Sequence, residues 1–178
     1  MSRSTLTRTL VLLLGVFALS ACITPPEPFR AYQGSAVEEQ LASFTGAAFF
    51  RQDWLNRYVD AVRFMNVNGE AIENSENINE ILVRPGVHEI TVYFSWDTGS
   101  QRGLAPALVD YAASRDTLSR TLRVNATAGR RYMVYGDPVF AAGGSRDITG
   151  LAYVDFWIED EFGNPVVTRE QGRYVPDQ

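Results

Sequence analysis

Four kinds of residue in this sequence could do chemistry, and each is either scarce or poorly placed for it. His88 is the only histidine, Cys22 the only cysteine, and all 16 basic residues are arginine. Without lysine there is no Schiff-base chemistry and no Ser–Lys dyad. His88 has no second histidine or further cysteine with which to share a metal ion, and no G-x-S-x-G elbow accompanies it for serine catalysis. Its place beside Pro85-Gly86 suits a strand-end histidine that fixes a turn by hydrogen bonding. Glu159-Asp160-Glu161, with Asp155 close by, is the densest acidic cluster. Its carboxylates suit Ca²⁺ in type but lack the D-x-D-x-D-G spacing, and they adjoin a turn, where charges face solvent. Trp54, Trp96 and Trp157 offer flat rings for stacking a sugar. Trp96 falls in phase with apolar neighbours and is expected inside; Trp157 falls out of phase and is expected outside. Core packing is the commoner use of such rings. No enzymatic activity, cofactor or metal is expected.

Composition narrows the classes further. The chain has 178 residues, 46% apolar and 12% aromatic, which is too apolar for a disordered polymer. A folded domain of ordinary size is expected. Its first 21 residues contain Arg3 and Arg8 and no acid, so the remainder carries 14 arginines against 21 acids, a net charge of −7. Such a domain repels phosphate backbones, and nucleic acid is not an expected partner.

Residues 1–21 read as a targeting segment. A short basic start precedes the apolar run Leu10 to Ala18, which is too short to span about 30 Å of hydrocarbon. Leu19-Ser20-Ala21-Cys22 then resembles the bacterial lipobox at every position. The resemblance implies recognition of Leu19, Ser20 and Ala21 by the lipoprotein signal peptidase, cleavage before Cys22 and a diacylglyceryl group on its sulfur. The implied partner is a membrane, held through lipid on Cys22. By the same resemblance, Ile23 in place of aspartate points to the outer membrane, with the domain facing the periplasm. Pro25, Pro26 and Pro28 favour extended polyproline II. Residues 22–35 are therefore expected to be a lipidated cysteine and tether, and residues 36–178 a single domain.

Beyond residue 35 the main pattern is period two, the mark of half-buried strands. Ile90, Val92, Phe94 and Trp96 alternate with Glu89, Thr91, Tyr93 and Ser95, and Ala152, Val154, Phe156 and Ile158 repeat the pattern. Further strands are expected over 47–51, 59–67, 80–84, 118–124, 132–135 and 166–169. Asn68-Gly69 is a strong turn pair, and 125–129 reads as a hairpin connection. Val37–Ser43 and Ala105–Ser114 are expected to form short helical pieces. Seven or eight short strands with little helix predict an all-β antiparallel sandwich, Ig-like or transthyretin-like. Two connections, 97–116 and 137–150, exceed hairpin length and are where binding would sit.

Three segments carry a second resemblance. Val67-Asn68-Gly69-Glu70, the step from Leu82 through Pro85-Gly86-Val87-His88 to Val92, and Ala128-Gly129-Arg130-Arg131-Tyr132-Met133-Val134 are similar to motifs of PEGA-like and carboxypeptidase-regulatory-like sandwiches. Small proteobacterial lipoproteins join such a core to a lipobox and an early Tyr-x-Gly, here Tyr32 and Gly34. These motifs are turn chemistry and packing, so the resemblance implies a fold and no catalytic residue. The expected function is a membrane-anchored, non-enzymatic binding or interaction module with an envelope protein partner. The alternative is a glycan- or small-ligand-binding lipoprotein that uses 97–116 and 137–150.

Overall fold

Alternating apolar side chains leave each strand with one face to bury, and this chain buries them between two sheets. The computed structural model describes residues 27–52, 54, 57–95, 118–142 and 150–176. Among these residues the strands are β1 (Phe29–Arg30), β2 (Ala42–Gly46), β3 (Ala48–Gln52), β4 (Arg57–Val67), β5 (Glu70–Ala71), β6 (Glu80–Val83), β7 (Gly86–Ser95), β8 (Ser119–Ala126), β9 (Arg131–Phe140), β10 (Leu151–Asp160) and β11 (Pro165–Tyr174). One sheet runs β1-β6-β2-β9-β10-β11, and the other runs β3-β4-β7-β8 with β5 paired on β4. Phe44, Phe64, Phe156, Ile81, Ile90, Leu122 and Ile158 are fully buried between them. The all-β class and the two open sheets follow the sequence pattern.

The pairing does not. β2 pairs with β9 in parallel, and β1 pairs with β6 in parallel, so the six-stranded sheet is mixed and not antiparallel throughout. A parallel neighbour requires a long crossover. Residues 47–130 supply one for β2 and β9, passing through β3, β4, β5, β7 and β8 of the other sheet. The 125–129 connection is corrected for the same reason. It joins β8 of one sheet to β9 of the other, so it is a bridge between layers and not a hairpin.

The second bridge is the corner between β2 and β3. The Ala47 amide donates to the Val134 carbonyl in one sheet, and the Ala47 carbonyl accepts from the Val62 amide in the other. Gly46 makes the turn, and a Cβ there would fall on the Val62 carbonyl oxygen. Val37–Ser43, expected as helical, is a 3-10 turn at Glu38–Gln40 that gives way to β2, whose residues are nearly all buried. An element buried on both faces has no period to read.

Two turns behave as their sequences require. Asn68 and Gly69 both have positive φ, 54° and 82°, as a type I′ turn demands. The Asn68 side chain then reaches β7, where its Oδ1 accepts from the Glu89 amide at 3.0 Å. On β7 the face expected to be polar is also closed: Thr91 and Tyr93 are buried. The Ser75 hydroxyl, from a 3-10 turn at Ser75–Asn77, stands 3.3 Å from the Tyr93 hydroxyl.

Two substitutions test the corner and the core separately. Phe44→Ala empties a fully buried site and should cost about 3–5 kcal/mol in chemical unfolding. Gly46→Ala forces backbone apart at the corner and should destabilise by about 1–3 kcal/mol or more, although it adds a single methyl group to the surface between strands.

Candidate functional site

The residues singled out by type are brought into contact mostly with structural partners. His88 stands at the start of β7, with Nε2 2.7 Å from the Arg84 carbonyl oxygen and Nδ1 3.0 Å from Asn68 Nδ2. The carbonyl only accepts, so Nε2 carries the proton and Nδ1 accepts from the amide. Both ring nitrogens are thus occupied in holding the Pro85-Gly86 and Asn68-Gly69 turns together.

The acidic cluster is dispersed by the pleat. Asp160 accepts from the Phe162 and Asn164 amides and from the Asn164 side chain, which closes the β10–β11 turn. These bonds, those from the Asn164 side chain foremost, hold its carboxyl below the ordinary value. Glu161 pairs with Arg130 at 2.7 Å, and Arg130 lies 5.0 Å over the Phe162 ring. Glu159 accepts from the Trp157 indole at 2.9 Å. Asp155, 5% exposed, receives Arg173 in a fork of 2.6 and 3.0 Å. That fork raises the guanidinium pKa, and Arg173 also lies 4.2 Å over Tyr153. Among the described residues no three His, Cys, Asp or Glu side chains are grouped as a metal site.

Trp157 is half-buried rather than exposed. Its ring stacks on Tyr135 at 5.0 Å and 14°, while Arg169 from the other neighbouring strand stands 3.7 Å over it. Arg169 reaches there because β11 bulges between its pairings at Gly172 and Val167. The Thr168 amide bonds the Gln171 side chain across that bulge, and Arg169 also pairs with Asp137 at 2.9 Å. A sugar platform needs an open ring face, and this ring is covered from both sides. Trp96 and the whole of 97–116 lie outside the described residues, as do Leu19, Ser20, Ala21 and Cys22. Of 137–150, Asp137–Phe140 continue β9, so the connection is shorter than expected; 143–149 lie outside the described residues. An open cavity of about 340 Å³ is lined by Ser35, Ala36, Gln40, Leu41, Arg84, Pro85 and Ala128.

The arrangement with the clearest functional geometry is at one end of the sandwich, where the chain enters. Phe29 and Arg30 form β1 on β6, and the Ala31 amide donates to the Leu82 carbonyl. Arg84 then donates to the Gln33 carbonyl at 3.0 Å and lies 5.8 Å from the Tyr32 ring centre. Among the described residues strand pairing therefore begins at Phe29, within the stretch expected as tether, and the entering segment is fastened along the sheet edge. Phe29 is level with Ile81, which is level with Phe44. β1 runs opposite to β2, so Glu27 lies toward the Gly46 corner, the end at which β3 leaves for its hairpin with β4.

That hairpin carries the most exposed large apolar side chains near the entry point. Phe50 is 62% exposed and Trp54 93%, with Phe49 and Val59 also exposed. Sequence reasoning placed Trp54 among the rings but gave no sign of its position. Only the register, with Gln52 opposite Arg57, puts it at a hairpin tip. Comparison of the chain with protein-family models, with curated proteins and with solved structures finds no match in any of the three.

The Asp155–Arg173 fork makes a specific prediction. Arg173→Met leaves a buried carboxylate without its cation and should lower the thermal midpoint clearly. Arg169→Met removes an exposed pair and should lower it much less. Adding Asp155→Asn to Arg173→Met should recover part of the loss.

Proposed function

We propose that this chain is a lipid-anchored envelope protein whose sandwich is a non-enzymatic binding or interaction module. Residues 1–21 direct export and are removed, and lipid on Cys22 holds the product to the outer membrane with the domain in the periplasm. The observation that carries the reading is Leu19-Ser20-Ala21-Cys22 at the end of a short apolar run, in a chain with no other cysteine. One acyl chain binds marginally and a second makes the attachment firm, at about 0.8 kcal/mol per buried CH₂.

The domain start supports the same reading. With β1 at Phe29–Arg30, only the six residues 23–28 separate Cys22 from the sheet, at most about 21 Å of chain, which keeps the domain beside the membrane. The finer fold assignment, to PEGA-like or carboxypeptidase-regulatory-like sandwiches, belongs to this proposal. Its support is the positive-φ Asn68-Gly69 turn and the Pro85-Gly86 step into β7. The interaction role draws support from how the reactive side chains are used. His88, Asp155, Asp160 and Glu161 each hold a strand or turn in place.

Fractionation of cells tests the anchor. The wild-type protein should sediment with membranes and resist extraction by high salt and alkaline carbonate. Cys22→Ser should appear in the soluble periplasmic fraction or persist as uncleaved precursor. Equal membrane retention of both forms, with both cut to the same length, would refute the proposal.

A further inference from the structure

The β3–β4 hairpin presents large apolar side chains to water. β7 is paired with β4 as far as Ser95 opposite Ala61, while β4 extends back to Arg57 and β3 onward to Gln52. Beyond that pairing lie four described residues of each strand, about 13 Å at the usual rise, with Tyr58 and Asp60 buried on one face and Phe50 and Val59 exposed on the other. Phe50 is opposite Val59 on this hairpin, and Trp54 stands at its tip with almost its whole surface in water. Phe49 points a ring toward Phe94 at 6.2 Å, which fastens the base of the hairpin to the core.

Exposure of this kind identifies no partner by itself, but the few residues between Cys22 and β1, and the end of the sheet at which β1 starts, do. Glu27 is two residues before Phe29 and therefore level with Gly46, two residues after Phe44. Five residues separate Cys22 from that level, at most about 18 Å of chain. From the same level, β3 advances six residues to Gln52, or about 20 Å. β3 leaves the Gly46 corner on the side to which Glu27 lies, so the hairpin tip and the point where the chain enters share one end.

Charge agrees with the geometry. Residues 48–59 contain Arg51 and Arg57 against Asp53, a local surplus of one positive charge in a chain of net charge −5. Tryptophan and phenylalanine favour the headgroup layer of a bilayer, and arginine accompanies them there.

We infer that the β3–β4 hairpin is a second membrane contact, with Trp54 and Phe50 seated in the headgroup layer of the membrane that holds the lipid on Cys22. The inference rests on the anchoring reading above. It adds an orientation: the entry end of the sandwich faces the bilayer, and the opposite end, with the Asn68-Gly69, Pro85-Gly86 and Gly163-Asn164 turns, faces the aqueous space.

Full-length protein extracted from membranes would be reconstituted into vesicles of phosphatidylethanolamine with a minority of phosphatidylglycerol, with plain or brominated acyl chains. Wild type and Trp54→Phe should both float with the vesicles, since the lipid holds each. Bromination should quench wild-type tryptophan emission, and most of that quenching should vanish in Trp54→Phe. Because Trp54 is exposed, the substitution leaves the core intact. Flotation of both with equal quenching overturns the hairpin contact and leaves the anchor standing. Failure of both to float overturns the anchor and the hairpin together. Emission that shifts with protein concentration but not with bromination gives the tip to a second copy of the chain, which also overturns the inference.

Discussion

One residue ties the two layers of this protein together. Ala47 donates its amide to Val134 in the six-stranded sheet and offers its carbonyl to Val62 in the five-stranded sheet. Buried backbone groups must be paired, and here the two groups of one residue are paired on opposite sides of the core. The corner is passable only because Gly46 has no Cβ to meet the Val62 carbonyl. From this constraint follow the parallel seat of β2 beside β9 and the direction in which β3 leaves for its hairpin with β4.

The outer face of β9, β10 and β11 shows how the suggestive side chains are used. Arg173 over Tyr153 and Arg169 over Trp157 repeat one device, a guanidinium laid on a β10 ring and held by a carboxylate, from β10 for Arg173 and from β9 beyond it for Arg169. Arginine suits this better than lysine, since a planar fork both stacks and binds bidentately. Edge strands need protection from further pairing. β11 has it in its bulge at Thr168–Gln171, its charged surface, and the Arg120 bond to the Gln171 carbonyl from the other sheet.

The long strands were legible because their burial alternates. Val154, Phe156 and Ile158 announce β10, and Ile90, Val92 and Phe94 announce β7, in the residues themselves. β2 was not, because Ala42, Phe44 and their neighbours are buried on both sides and leave no period. The joining of layers by residues 127–130 was hidden too, since a turn sequence states that the chain bends and not which sheet it bends toward. At the candidate site, Trp54 and Phe50 could be noted as apolar residues. Their shared end with Glu27 depends on register across three strands, which is a property of pairing and not of spacing. His88 was legible at once, as a neighbour of Pro85-Gly86 with no reactive partner in the sequence.

Anchor, entry strand and hairpin make a single account only if the chain truly starts at a lipidated Cys22. The decisive measurement is mass spectrometry of the amino-terminal peptide of the protein purified from the cell envelope. The account predicts a peptide whose first residue is Cys22 and whose mass includes a diacylglyceryl group. A free thiol at Cys22, or an intact bond between Ala21 and Cys22 in the mature protein, would contradict it.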